Sequence, residues 1–364
     1  MARLSAACLV GSLLAVVCAA ASESGQATRT PTPFRRMFDA YAAGDYDVVR
    51  RTLKTEQDLD AIIDDYRAAL VAGKGWPREP AWHRVIPAFG LEIAAVAARH
   101  RWPGTDLLFN NVGRLVVRRP DRIGDTPGDD AFEILVHRAA VALAQEVRMP
   151  YEQYARLYED RVSADPPRSG RRMVDPRFLL SHAIAAEQRA AQVDGLARFI
   201  APRNRPRQME DGTYFQEAAR RYRVAARYDV NASEASVRLA WVLHRLGQFA
   251  EGLAALENFE AKTSDGEVIY LGRLFRGQLL TRLGRIEDAA RAYEHALAAW
   301  PRAQSPAVAL SALHLLNDRR DLSLQWATVV RTQEAGPPDP WLRYPFGEGR
   351  FFEARLAEVR QAIR

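Results

Sequence analysis

The segment HRLGQFAEGLAALE at 244–257 returns as TRLGRIEDAARAYE at 281–294, an offset of 37 residues. Arg245, Leu246, Gly247, Ala255 and Glu257 recur as Arg282, Leu283, Gly284, Ala292 and Glu294, while Phe249 and Leu256 recur by type as Ile286 and Tyr293. A self-similar period of this length constrains the fold more than any other feature of the chain. One helical hairpin cannot bury its apolar face alone, so units of this size stack until a continuous core forms, with atypical units at the ends. Ala289, Tyr293 and Ala296 have a counterpart 71 residues earlier in Ala218, Tyr222 and Ala225, which places half a unit before the first full one. Residues 305–330 hold two helices of the right length but few of the recurring residues, and read as a degenerate further unit.

Helical patterning extends well beyond the repeat. Met37, Phe38 and Tyr41 fall on one face, Gly44-Asp45 breaks the helix, and Tyr46, Val49 and Leu53 resume on one face, so 34–54 reads as a helix–turn–helix hairpin. Leu59, Ile62, Ile63, Tyr66 and Leu70 predict a helix over 57–72. Further amphipathic helices are expected at about 81–99, 105–118, 129–147, 151–162 and 177–199, separated by Pro- and Gly-containing breaks. Two polar stretches, 163–176 and 201–212, are the most loop-like interior segments. Asp129-Asp130 suits a helix start, where carboxylates meet the positive end of the helix. Asn231-Ala232-Ser233 is a glycosylation sequon that doubles as a helix N-cap, and the cap is the preferred reading.

The repeat units resemble tetratricopeptide repeats. In 270–303, Gly277 is the small residue that lets two helices approach, Gly284 marks the turn, and Ile286 enters the second helix. Ala289, Tyr293 and Ala296 line that helix's inner face and Pro301 ends it. Arg273 and Arg276 depart from the pattern, standing where the family prefers large apolar residues. The unit 233–266 agrees at Leu239, Ala240, Leu243, Gly247, Phe249 and Leu256, but Gly252 and Phe259 stand where Ala289 and Ala296 stand in the other unit. Phe259 would overpack an ideal hairpin. The resemblance covers 217–303 strongly and 304–335 weakly, with a hint at 34–54. It implies an all-α fold, a solenoid of helical hairpins with a capping C-terminal helix. Trp341, Tyr344 and Phe346 would cover the last repeat's open end, and a final helix at 349–363 would bury Phe352, Leu356 and Val359. The alternative for these aromatics is an exposed binding patch.

The organisation expected is therefore a signal peptide at 1–21, a disordered leader at 22–33, a helical N-terminal region at 34–200 and a linker at 201–212. Tetratricopeptide-like repeats at 213–335 and a C-terminal cap at 336–364 follow. The first of these rests on a positive start at Arg3, the uncharged run LSAACLVGSLLAVVCAAA, and an Ala-x-Ala arrangement at Ala19 and Ala21. The alternative is an uncleaved anchor, the single route by which this chain would touch a membrane. Both cysteines, Cys8 and Cys18, lie inside that segment. An exported mature chain would have neither disulfide, thiol nucleophile nor thiolate metal site.

The chain carries a formal net charge of +6, yet Lys54, Lys74 and Lys262 are its only lysines. Its arginines interleave with acids along helices, giving solvated faces with i,i+4 pairs and no basic stripe. Nucleic acid is not an expected partner. The seven histidines include no H-x-x-x-H pair, and the chain lacks H-E-x-x-H, G-x-S-x-G and phosphate-loop motifs. No metal, cofactor or catalytic residue is expected. By the resemblance, the first helix of each hairpin lines a concave groove for a peptide. Its candidate lining is Trp241, His244 and Arg245, then Gln278, Thr281 and Arg282, then Ser311 and His314. Arg245 and Arg282 occupy equivalent places and could clamp a carboxylate. The expected function is an exported, periplasmic or extracellular scaffold for a protein or peptide. The alternatives are a cell-envelope assembly factor, or an enzyme with its site in 34–200.

Overall fold

A computed structural model describes residues 32–62, 82–102, 129–149, 176–197, 199, 212–333 and 336–363. The expected signal peptide, the leader up to residue 31, the part of the expected 57–72 helix beyond Ile62, and the helices at 105–118 and 151–162 lie outside them, as do the breaks at 163–176 and 201–212 except for their last residues; Thr32 and Pro33, placed in the leader by the sequence, instead begin the first helix. Among the described residues every regular element is helical. In chain order these are α1 (Pro33–Ala42), α2 (Val48–Thr52), α3 (Trp82–His100), α4 (Asp129–Glu146), α5 (Pro176–Ala197), α6 (Thr213–Ala225) and α7 (Asp229–Arg245). They continue as α8 (Phe249–Ala255), α9 (Gly266–Arg282), α10 (Ile286–Ala299), α11 (Gln304–Leu316), α12 (Arg320–Thr332), α13 (Pro340–Arg343) and α14 (Phe352–Ile363).

The chain divides into two compact units, one formed by 1–172 with 348–364 and the other by 173–347. In the first, Thr32 caps α1, its hydroxyl accepting the Arg35 amide at 3.3 Å, and Pro33 starts the helix where no amide is needed. Gly44 turns the chain at φ 101°, a conformation natural to glycine. Phe34, Phe38 and Tyr41 then close around Phe89 of α3 at ring separations of 5.8, 5.2 and 5.3 Å. Leu59 and Ile62 are buried as their spacing predicts.

Helix α14 belongs to this unit. Its Phe352, Leu356 and Val359 are buried as expected, and it packs on α4 and α3. Glu92 of α3, buried completely, accepts from Arg360 at 2.6 Å. Burial raises the Glu92 pKa, and the Arg360 charge opposes that rise. Arg99 bridges Glu146 at 3.0 Å and Glu353 at 2.7 Å, and Arg50 adds a second cation to Glu353 at 3.0 Å. The helix expected to cap the repeats is thus fastened into the first unit.

The second unit is a run of four hairpins, α5/α6, α7/α8, α9/α10 and α11/α12, each packed on its successor. Helix α5 completes the half-unit read at 217–230, so this body begins before the 201–212 break. Its α6 buries Ala218, Tyr222 and Ala225, the trio shared with α10. Gly247 and Gly284 take φ of 75° and 73° at equivalent turns. Gly277 is required by packing, because a Cβ there would lie 2.5 Å from the Tyr293 ring. Asp265 caps α9 by accepting the Glu267 and Val268 amides at 2.8 and 3.2 Å.

The α7/α8 hairpin accommodates Phe259 by giving up helix. Helix α8 stops at Ala255, Asn258 takes φ 60°, and the Phe259 ring drops onto Gly272 of α9. The two departing arginines repair the break. Arg276 donates to the Leu256 carbonyl at 2.8 Å, and Arg273 pairs with Glu260 at 2.9 Å and reaches the His295 carbonyl at 3.1 Å. Their polarity is therefore part of the packing. The N-cap expected at Asn231-Ala232-Ser233 is corrected: α7 begins two residues earlier, after Tyr228. Asn231 is buried and donates through Nδ2 to the Pro176 carbonyl, and Ser233 donates to the Phe259 carbonyl at 3.0 Å.

Candidate functional site

The first helices of the four hairpins, α5, α7, α9 and α11, present one side of the second unit. A six-residue segment of the same chain, Asp339 to Tyr344, is fastened across it. Asp339 accepts the Tyr270 hydroxyl of α9 at 2.7 Å and the Ser305 amide of α11 at 2.9 Å, and caps α13 by accepting the Trp341 amide at 2.9 Å. Burial and then the Asp339 bond raise the Tyr270 pKa, keeping its hydroxyl a donor. The Trp341 ring lies 4.8 Å from Trp241 of α7 and 5.5 Å from Phe275 of α9, close to perpendicular to both. Arg343 reaches Glu267 of α9 at 3.2 Å. Tyr344, itself buried, packs edge-on to Phe275 at 5.3 Å and donates to Glu187 of α5 at 2.7 Å.

Beneath Tyr344 is a buried ionic cluster that the sequence reading missed. Arg238 of α7 is only 1% exposed, lies 4.6 Å below the Tyr344 ring, and pairs with Glu187 at 3.4 Å and Glu234 at 2.9 Å. Tyr222 of α6 donates to the same Glu187 carboxylate. Burial and then the Glu187 charge raise the pKa of both Tyr222 and Tyr344, so both stay protonated donors. The carboxylate is fed by two phenols and a guanidinium and an aromatic face covers the cation, which offsets much of the cost of charge removed from water, although Arg238 Nη2 has no hydrogen-bond partner among the described residues. The sole sequence signal was an arginine set among apolar residues in SVRLAW.

Four of the eight expected groove residues come together. Trp241 stacks on His244 at 5.4 Å, and His244 lies 5.7 Å from Phe249. Burial first, then Arg282 and Arg245, lower the His244 pKa, which keeps the imidazole neutral at neutral pH. The two arginines are not equivalent. Arg245 is paired with Asp194 of α5 at 2.6 Å and covers the Phe215 ring at 5.0 Å. Arg282 is exposed and lies over Phe249 at 4.9 Å. The clamp of two like arginines is corrected on that geometry, because an internal carboxylate already holds Arg245.

The other four are distributed differently. Gln278 stands one turn before Arg282, and its Oε1 has no hydrogen-bond partner among the described residues. Thr281 donates to the Gly277 carbonyl at 2.9 Å and meets the Tyr293 hydroxyl at 3.1 Å, inside the α9/α10 hairpin. Ser311 donates to the Ser323 carbonyl at 3.0 Å, inside the α11/α12 hairpin. His314 is buried, and its Nδ1 is unpartnered among the described residues. The aromatics expected to close the last repeat are displaced too. Trp341 and Tyr344 sit on α7 and α9, while Leu315, Leu316 and Leu324 of the last hairpin are 56, 80 and 66% exposed. The Phe346 side chain lies outside the described residues.

Residues 208–315 match the family model of a tetratricopeptide repeat-like domain. Over this part the chain is similar to tetratricopeptide repeat-like domains. The match takes in α6 through most of α11, leaving α5, α12 and the fastened segment outside. A comparison with curated proteins found no match. Such repeat-like domains generally mediate protein–protein interactions. Among the described residues of the whole chain, no group of three or more His, Cys, Asp or Glu could hold a metal ion. No described helix is long and apolar enough to cross a membrane.

Proposed function

We propose that the protein is an exported, non-enzymatic scaffold that holds a protein or peptide through the side lined by α5, α7, α9 and α11. The observation that carries this reading is the Asp339–Tyr344 segment, since a short stretch of chain is already held there by aromatic, ionic and hydrogen-bonding side chains. On the same side, Arg282 offers an exposed cation at the C-terminal end of α9. Export rests on the charge-free run that follows Arg3 and on the small residues that end it. The compartment proposed is the periplasm or cell exterior of a bacterium.

The test is site-specific photo-crosslinking in the native envelope fraction. A photoreactive side chain at Gln278 or Arg282 is expected to capture one discrete protein. The same group at Arg291, on the second helix α10 and 63% exposed, is expected to capture none. Capture at Arg291 alone, or the same products at all three positions, would overturn the reading. The mass of the purified native chain tests export separately, since cleavage after the small-residue run removes Cys8 and Cys18 together.

A further inference from the structure

We propose that this side of the repeat domain recognises a specific peptide pattern, for which the chain's own Asp339–Tyr344 is the resident copy. The pattern is a carboxylate, an indole two residues on, and a basic residue followed by a phenol. The partner is a protein segment of that chemistry which takes the place of the resident one. This deepens the scaffold reading and rests on it.

Each element of the pattern meets a complementary group on the first helices of the hairpins, α9 serving three of the four. The carboxylate meets two donors, the Tyr270 hydroxyl and the Ser305 amide. The indole meets the Trp241 and Phe275 rings. The guanidinium of Arg343 meets Glu267, whose side chain is 19% exposed. The phenol meets an acceptor, Glu187, and rests on the Arg238 cation. Leu342, the one residue between indole and base, is 65% exposed and contributes nothing that a partner would need to copy.

The segment is also short and self-contained. Gly336-Pro337-Pro338 precedes it, and on its other side a 3-10 helix, Tyr344–Phe351, leads to α14 but is kinked at Gly347, where φ is 55°. It is held by side chains and one cap, which is how peptides are held in grooves, and it lacks the long apolar stripe by which the hairpins hold one another. Tethering places the resident copy at an effective concentration of about millimolar, so it masks the site against a weaker free peptide.

The test uses a fluorescent synthetic peptide of residues 336–346 and the full chain, read by anisotropy. The doubly substituted chain Trp341→Ala/Tyr344→Ala lacks the resident aromatics. It is expected to bind the peptide about tenfold or more tighter than the unsubstituted chain, because the tethered competitor is lost. A peptide carrying Asp339→Asn and Trp341→Ala is expected not to bind. Circular dichroism establishes that the variant is folded. If the double variant is unfolded, Asp339→Ala alone loosens the segment while keeping its aromatics, and enhanced peptide binding is again expected. Equal binding to substituted and unsubstituted chains, no binding to either folded variant, or unfolding of both variants overturns the proposal. A partner captured at Gln278 that contains no such pattern would leave the scaffold reading intact and overturn this one.

Discussion

The ring of Phe259 occupies the place where a side chain at Gly272 would begin: a Cβ added there would lie 2.2 Å from Phe259 Cζ. Gly272→Ala is therefore expected to destabilise the protein by about 1–3 kcal/mol through overpacking. The intrinsic gain of about 1 kcal/mol for replacing a mid-helix glycine by alanine is too small to offset it. Gly195 of α5 is the control, because nothing lies within 4 Å of its added Cβ. Gly195→Ala is expected to stabilise by about 0.5–1 kcal/mol. Urea melts of the two variants should shift in opposite directions, and a shift of the same sign would contradict this account of Phe259.

Arg276 is expected to matter more than its polarity suggests. Arg276→Ala leaves the Leu256 carbonyl, at the broken end of α8, without its 2.8 Å donor. The cost should be about 1–3 kcal/mol if that carbonyl stays dry. Arg320 of α12, exposed and without a comparable carbonyl contact among the described residues, should change stability by less than about 0.5 kcal/mol when replaced by alanine. Equal effects at the two positions in thermal melts would show that Arg276 is only a solvated arginine.

Breaking the buried ion cluster should be costlier than deleting it. Arg238→Met leaves the Glu187 carboxylate buried beside two phenols without its cation, and is expected to cost about 3–5 kcal/mol. Adding Glu187→Gln in the same chain removes the orphaned charge and should recover part of that loss. The measurement is a double-mutant cycle by chemical denaturation. Additive single effects would mean that the 3.4 Å pair contributes nothing as a pair.

His182 of α5 makes the second unit acid-sensitive. Burial first, then the Arg221 charge, lower its pKa from 6.5 to about 3. Arg221 Nη1 lies 2.5 Å from Nε2, and a guanidinium can only donate, so Nε2 accepts and the ring is neutral. The unfolded chain takes up a proton near pH 6.5 while the folded chain does not. This contribution is complete above pH 6.5 and is lost as pH falls toward 3, at up to about 1.4 kcal/mol per unit. Glu217, beside Arg220 and Arg221, has its pKa lowered to about 2, so its own loss begins only below 4.5. Between pH 6.5 and 4.5 the slope should therefore become shallower in His182→Gln, the remainder belonging to His244, whose pKa is lowered by burial and by Arg282 and Arg245. A slope unchanged by His182→Gln would assign the acid sensitivity to another group.

Much of the repeat was legible because its signals are local and recur. Gly247 and Gly284 mark turns, Tyr293 over Gly277 marks a close approach, and Ala218-Tyr222-Ala225 announces a helix before the first full unit. Phe259 was legible as a misfit, whereas its relief was not, since Gly272 and Arg276 lie on a different helix and follow no period. Thr281 and Ser311 occupy positions that a helical wheel assigns to the open side. Their hydroxyls instead find partners inside their hairpins, which a one-dimensional pattern does not encode. The contacts of Asp339–Tyr344 were the least legible. They involve scattered residues of α5, α7, α9 and α11, as far as 157 positions away, with no spacing to connect them. The frequency of arginine on solvated faces likewise concealed the buried Arg238.

Stacked repeats ordinarily behave as a one-dimensional array, each unit coupled to its neighbours alone and free to fray from either end. Asp339–Tyr344 alters that connectivity. At one end it bonds to Ser305 in the last hairpin, and at the other to Glu187 in the first. The array acquires the topology of a closed loop, in which the terminal hairpins are energetically linked through the segment. Unfolding should then be a single cooperative event across all four hairpins, and whatever lifts this six-residue strap would hand the terminal hairpins back their independence.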